Sequence, residues 1–446
     1  MKQKFNVVKS FLYLTVVALM LCYSCTDDNE DYKTYKVNVK LAYPEGFEPV
    51  SNVKIKMVNT MNNTSFEGRT DSSGLVTFDV PVGNYEASSS EIRLVEGDVI
   101  FLNGVKSGIV ITDTWDGTGV VEITLSESRP TPIVIKELYT GGCQPDTGSK
   151  VFQRDPYVIL YNNSNELVSL ENLCFGATNP YNSNASNADY VGGKLFYDND
   201  SSSWIPAATA IWTFRSNVTL EPGDQIVVAM QNAVDNTVTY SNSINFANSK
   251  YYCMYDIDQF NNTTYYPSPS EVIPTTNYLK AYRYEGVTAN AWTLSVNSPA
   301  FFIFIPEGMT PAELATDQSY TNRYNNSSSQ VRKKIPIKWI LDGVESFRQG
   351  AENNLKRLTS HVDVGFVMYK NEQGYTLYRN VNKEATEAIE ENAGKIVYGY
   401  NLGVEGTQDP SGIDAEASIK NGARIIYMDT NNSSVDFHQR GRASLK

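Results

Sequence analysis

Between Pro132 and Phe175 the apolar residues arrive in short runs: Ile133–Leu138, Tyr157–Asn162 and a third segment near Leu167–Phe175, with polar connections between them. Alternating Val, Ile, Leu and Tyr give each run one face to bury and one to leave wet, which is how strands read. Tyr161-Asn162-Asn163-Ser164 closes the second run, because short polar side chains bond their own backbone and accept turn dihedrals. The same short period fills Tyr35 to Leu125, in runs at Lys36–Ala42, Asn52–Val58, Leu75–Val80, Asn84–Ser88, Gly108–Thr112 and Val120–Leu125. Gly74 and Pro81-Val82-Gly83 are placed to reverse the chain on either side of Leu75–Val80. Ser126 to Pro130 is a polar break before the next strand. The expected fold is therefore mainly β, with one domain over 35–126 and a second over 131–446.

The chain has 446 residues, enough for two or three domains and a sizeable core. With 41% hydrophobic and 20% charged residues it suits a globular protein rather than a disordered one. The formal charge of −13 opposes nucleic acid and anionic lipid, so no nucleic-acid partner is expected. Tyr (29 residues) and Asn are abundant; both are enriched where proteins meet other molecules, although Tyr also simply suits strands.

Lys2, Lys4 and Lys9 precede an apolar run from Phe11 to Leu21, which meets Cys22-Tyr23-Ser24-Cys25. A basic start, an apolar stretch of this length and a small residue before the cut describe an export signal over 1–24, too short for an ordinary membrane span. Ser24 before Cys25 fits lipoprotein processing, with Cys25 acylated, while Cys22 at the third position before the cut is atypical. An acidic linker, 25–34, follows; Thr26 to Asp31 looks like the signal that sends Bacteroidota lipoproteins to the outer face of the outer membrane, and it would equally serve as a solvated spacer. The expected location is the outer membrane, lipid-anchored and facing the cell exterior. Several acyl chains anchor stably, each buried methylene contributing about 0.8 kcal/mol.

Insertions near 176–213 and 232–330 are rich in Asn, Ser and Tyr, and connections this long are seldom idle. Trp204, Trp212 and Trp292, with Tyr251-Tyr252 and Tyr265-Tyr266, lie in or beside them and are candidate ligand contacts, since aromatic faces stack on sugars or aromatic iron chelates. The alternative is a satellite core beneath a long loop.

No catalytic residue is expected. His361 and His438 stand in no metal-ligand spacing, and no Gly-x-Ser-x-Gly elbow or phosphate loop occurs. No cofactor is implied. Asp429 and Asn431 put oxygen ligands at alternate positions, as calcium loops do, but Ser434 and Arg440 stand where such a loop needs Gly and Glu. Asp256 and Asp258 make a second weak calcium candidate and Asp198-Asn199-Asp200 a third. Beyond Cys25 the mature chain keeps Cys143, Cys174 and Cys253, from which an exported compartment permits one disulfide. Cys143 and Cys174 flank the opening strand pair and are the expected pairing; the alternative is buried reduced thiols.

Five pieces in order resemble a lamin-tail-type domain, an immunoglobulin-like sandwich of many secreted bacterial proteins. They are the opening strands from Pro132, Phe214–Met230 with its Leu220-Glu221-Pro222-Gly223 turn, Trp339–Phe347, Tyr375–Asn380 and Asp429–Phe437. The resemblance implies that Asp429 and Asp436 bond local backbone amides and close the last strand. Thr70 to Tyr85 resembles a carboxypeptidase-regulatory or transthyretin-like sandwich, which implies a spacer. The whole looks like a Bacteroidota lipoprotein family encoded beside TonB-dependent outer-membrane transporters. That likeness implies a ligand-capture or accessory subunit for nutrient or metal-complex uptake, with a small molecule or glycan as ligand. The alternative is an adhesion or structural module gripping glycan or protein.

Overall fold

The computed structural model describes residues 33–62, 64–95, 98–198 and 203–446. The expected export signal 1–24, the expected lipidation site Cys25, the acidic run Thr26–Asp31 and Asp200 lie outside the described residues. The protein is mainly β, as its alternating runs predict. Its longest described α-helices, Pro311–Thr316 and Ala415–Lys420, have six residues each. No helix of the described residues is long and apolar enough to cross a membrane.

The first eight strands form two sheets. Thr34–Ala42 lies between Leu75–Pro81 and Val120–Thr124, antiparallel to the former and parallel to the latter. Opposite it are five strands in the order Ser65–Arg69, Lys54–Asn59, Gly83–Val95, Asp98–Ile111 and Ser126–Ser128. Tyr35, Val37, Val39 and Leu41 point inward at every second position and meet Ile55, Met57, Tyr85 and Leu102 in one core. Gly74 takes φ +77° in the turn, where Asp71 Oδ1 accepts from the Ser73 and Leu75 amides at 2.8 and 3.0 Å. The runs Asn84–Ser88 and Gly108–Thr112 are the ends of one long hairpin of 13- and 14-residue strands. Its middle is polar because Ser89 and Ser90 are held there by hydrogen bonds, to Lys54 O at 3.0 Å and Asn103 Oδ1 at 2.6 Å.

From Ile133 onward two six-stranded sheets face each other. One runs Tyr252–Cys253, Gln225–Ala229, Tyr157–Asn162, Ile133–Tyr139, Thr376–Arg379, Phe437–Arg440. The other runs Lys280–Arg283, Ala210–Thr213, Cys174–Ala177, Ala300–Phe304, Ile340–Arg348, Val367–Tyr369. Ile135, Leu138, Leu160, Phe175, Trp212, Phe301 and Leu377 belong to the core between them.

The wet face expected for the opening strands is not there: Ile133–Tyr139 and Tyr157–Asn162 are buried at every position. The long connections supply the reason, because they pack as outer layers. Ala233, Ile244, Phe246 and Ile273 cover Tyr157 and Ile159, while Val381, Ile413, Ile425 and Tyr427 cover Val134 and Tyr161. On the other sheet a small third one, Trp204–Ala208, Val331–Pro336 and Thr321–Arg323, contributes Ile205 and Ile335 to a further core. The chain thus hides far more apolar surface than two bare sheets could.

Candidate functional site

Four connections converge at one end of the second sandwich. Tyr157 pairs with Ala229, and Ala177 with Phe301, so the residues before Tyr157 and Ala300 and after Ala229 and Ala177 emerge at matching sheet ends. They enclose a cleft of about 290 Å³. Gln153 and Arg154 come from the connection before Tyr157, Tyr181 and Asn182 from the first insertion, and Gln231 from just beyond Ala229. Tyr265 and Thr293 to Val296 come from the second insertion.

The walls are fixed by a buried ion pair behind them. Arg357 donates through Nε to Glu345 Oε1 at 2.9 Å, and its other nitrogens reach Pro180 O at 3.0 Å and Ser298 O at 2.8 Å. One guanidinium therefore ties the first insertion to the second. Ser183 N–H donates to Ser298 Oγ at 3.0 Å, and Ser295 Oγ donates to Asn182 Oδ1, closing the same seam. The Tyr181 and Thr209 hydroxyls are 2.9 Å apart.

Two polar groups of the lining are uncommitted. Gln231 is only 3% exposed, yet its amide meets no hydrogen-bond partner among the described residues. Arg154 has neither an ion pair nor a hydrogen bond among the described residues; its guanidinium lies 5.4 Å from the Phe152 ring centre. Gln153, by contrast, is held by Glu372. Among the described residues no His, Cys, Asp or Glu lines the cleft. The lining offers amide, hydroxyl and guanidinium donors with two tyrosine rings, a set suited to binding rather than to proton transfer.

The ionisable groups that burial perturbs most lie elsewhere. Arg379 is fully buried and donates to Asp342, to Ile135 O at 2.7 Å and to Met428 O at 2.8 Å. Asp429 Oδ1 and Asp436 Oδ2 stand 3.6 and 3.7 Å from the same guanidinium. Burial raises all three carboxyls, Asp436 to about 6 and Asp429 well above the usual range, with Arg379 pulling the other way. Asp436 accepts from the local Thr430 N at 2.8 Å, as the terminal motif implied, whereas Asp429 accepts not from a local amide but from Thr131 N at 2.9 Å, at the start of the domain. His438 sits between Tyr400 (2.6 Å) and Asn380 (2.7 Å), and burial, reinforced by the Arg440 charge, lowers its pKa to about 3. It is a neutral interior imidazole.

The aromatic candidates divide. Tyr265 lines the cleft. Trp212, Trp292 and Tyr266 are interior, with Tyr266 donating to Trp292 O and its ring 6.0 Å from Trp212, which corrects their expected place on a ligand surface. The second insertion has built a core around them. Tyr252 packs edge-on against Phe214 at 5.4 Å, and Tyr251 borders the layer over Tyr157. Trp204 stacks on Tyr197 at 4.9 Å, away from the cleft lining. Cys143, Cys174 and Cys253 are free and buried, so the expected Cys143–Cys174 disulfide is not formed; Cys174 and Cys253 belong to different cores.

Asp256 is buried against Lys280 at 2.9 Å and Arg215 at 3.5 Å, its charge already met by two cations, and Asp258 is exposed. Asn431 takes φ +53° in the terminal turn, and its carbonyl accepts from Val364 N–H at 2.8 Å. At Asp429 the Arg379 guanidinium stands where a calcium ion would. Among the described residues no group of three or more His, Cys, Asp or Glu could hold a metal ion. The cleft residues missed in the sequence, Gln153, Arg154, Tyr181, Asn182 and Gln231, carry no spacing signal; only the Tyr- and Asn-rich composition of the insertions pointed their way.

Fold and cleft define a β-sandwich protein whose elaborated loops enclose a small polar cleft. The chain belongs to the family described as "Protein of unknown function (DUF4876)", whose profile matches residues 221–444, half of its length. A crystal structure of a DUF4876 family protein from Bacteroides thetaiotaomicron VPI-5482 at 2.50 Å resolution is similar in fold, with a TM-score of 0.50 and 20% identity. The similarity covers 90% of this chain and 94% of that one. A 9R-lipoxygenase from Cyanothece PCC8801 overlaps 21% of this chain and 16% of its own at 12% identity and a TM-score of 0.14, too little to bear on the fold. No curated protein matches the sequence.

Proposed function

We propose that the protein is a non-enzymatic lipoprotein of the outer-membrane surface that captures a small ligand and passes it to a TonB-dependent transporter. The observation that carries this reading is the cleft: both long insertions wall it, and among the described residues the Gln231 amide and the Arg154 guanidinium in its lining have no hydrogen-bond partner. A lining free of carboxylate, imidazole and thiol favours binding over catalysis. The leader, Cys25 and the acids after it supply the anchor and the outward address in this reading. The first sandwich, taken as carboxypeptidase-regulatory-like, acts as a spacer, and the second is a lamin-tail-like domain with its insertions turned into layers and a pocket. Cross-linking on intact cells, followed by capture from the outer membrane, is expected to enrich a TonB-dependent transporter. Capture with none enriched would remove the partner.

The adhesion reading has one observation of its own. Ile92 and Leu94, near the tip of the long hairpin, are 58% and 76% exposed, an apolar surface at the end of an arm. A deletion strain that loses attachment to a glycan- or protein-coated surface, with normal growth on limiting nutrients, would favour it.

A further inference from the structure

We infer that the cleft takes an acidic sugar: a hydroxyl-rich ring bearing one carboxylate. This rests on the capture reading and names the ligand chemistry. Arg154 is the one charged residue of the lining, and it has no acidic partner among the described residues. In a chain of formal charge −13 an unpaired arginine at a cleft is a local reversal of sign. The nearby carboxylate, Glu372, accepts from the Gln153 amide, and the Gln144 amide donates to the Glu372 carbonyl. A guanidinium fork matches a carboxylate with two parallel hydrogen bonds, which a single hydroxyl cannot do.

The rest of the lining suits the ring. Gln231 offers an amide that can both donate and accept and that no group among the described residues engages. A hydroxyl pair satisfies such a group and an apolar ligand does not. Tyr181 is 48% exposed and has no aromatic stacking partner among the described residues, leaving a ring face for the apolar side of a sugar, while Tyr265, packed against the core, lines the cleft beside it. The volume, about 290 Å³, is at the small end for ligand pockets. It holds a monosaccharide or the end of a chain rather than a long internal stretch.

Titration calorimetry on the mature chain tests this with D-galacturonic acid, tri-galacturonic acid, D-galactose and sodium benzoate. Either uronic acid is expected to bind at least tenfold more tightly than galactose, and Arg154→Gln, which breaks no hydrogen bond or ion pair among the described residues, is expected to erase that preference. Tyr265→Ala is expected to weaken uronic acid and galactose alike. A trimer that binds more tightly than the monomer identifies a polysaccharide end; equal affinities identify the free acid. The inference is overturned if galactose matches galacturonate, if benzoate matches it, if no sugar binds, or if Arg154→Gln keeps the preference. A transporter captured by the native protein in the face of such a result would leave the capture reading standing and remove only the ligand class.

Discussion

Arg357 and Arg379 are both fully buried arginines of the second sandwich, and they differ in what surrounds them. Arg357 has one carboxylate, Glu345, and that carboxylate is saturated: its Oε2 accepts from the Arg357 and Leu358 amides at 2.8 Å each. Arg379 has three carboxylates within 4 Å, and one of their oxygens, Asp429 Oδ1, has no hydrogen-bond partner. The first centre pairs one cation with one anion, so its formal charges cancel. The second carries a charge excess that the interior cannot hold without protons. Position follows the same division. The neutral centre stands behind the cleft, whose shape it fixes, and the proton-holding one closes the terminal strand.

The largest effect should come from unbalancing the neutral centre. Glu345→Gln leaves a buried guanidinium that cannot shed its proton, and stability should fall by about 3–5 kcal/mol in urea unfolding. Because Arg357 also binds Pro180 O and Ser298 O, ligand affinity at the cleft should fall with it. A loss under about 1 kcal/mol would show that the pair is no clamp. The equivalent change at the other centre, Asp342→Asn, should cost less, about 1–2 kcal/mol. Asp429 and Asp436 remain to neutralise Arg379, and an asparagine oxygen can still accept from the Ile135 amide that Asp342 now serves.

The strands around these centres were legible because local apolar period decides them. Tyr157–Asn162 appears with the ends read from the sequence, and Ile133–Leu138 is one residue short of the observed strand. The resemblance marked the pieces that hold Asp342, Glu345, Arg379, Asp429 and Asp436, but the buried ion pairs they form were not legible. Arg332 and Asp189, a bidentate buried pair at 2.6 and 2.7 Å, are 143 residues apart, and no local pattern links them. The cleft shares this difficulty, since Arg154, Tyr181, Gln231 and Tyr265 meet only through strand register. Composition marked the insertions but could not separate Trp212 and Trp292, which build a core, from Tyr265, which lines a pocket: aromatic area suits both ends. The long hairpin was hidden for the converse reason, because Ser88, Ser89 and Ser90 have low strand propensity and are held by partners distant in sequence.

Asp429→Asn should have the smallest effect of the three near pH 4, and it probes the comparison most closely. The raised carboxyls mean that the fold retains protons the unfolded chain releases above about pH 4. Stability from this source is therefore complete below the unfolded pKa and declines as pH rises. For Asp436 the decline runs from about 4 to about 6, on the order of 3 kcal/mol. For Asp429 it starts at the same point and continues further up. An uncharged asparagine cannot suffer that decline, so the variant should match or exceed its parent above pH 6 and lose any advantage near pH 4. The difference between the two proteins is the quantity to measure, by thermal midpoint in steps from pH 4 to 8, because it cancels His438. That group, with its pKa lowered to about 3, acts with the opposite sign: its contribution is present above 6.5 and lost as pH falls. A variant less stable than its parent by the same amount at every pH would mean that Asp429 is held ionised by Arg379, and that the two arginine centres are alike after all.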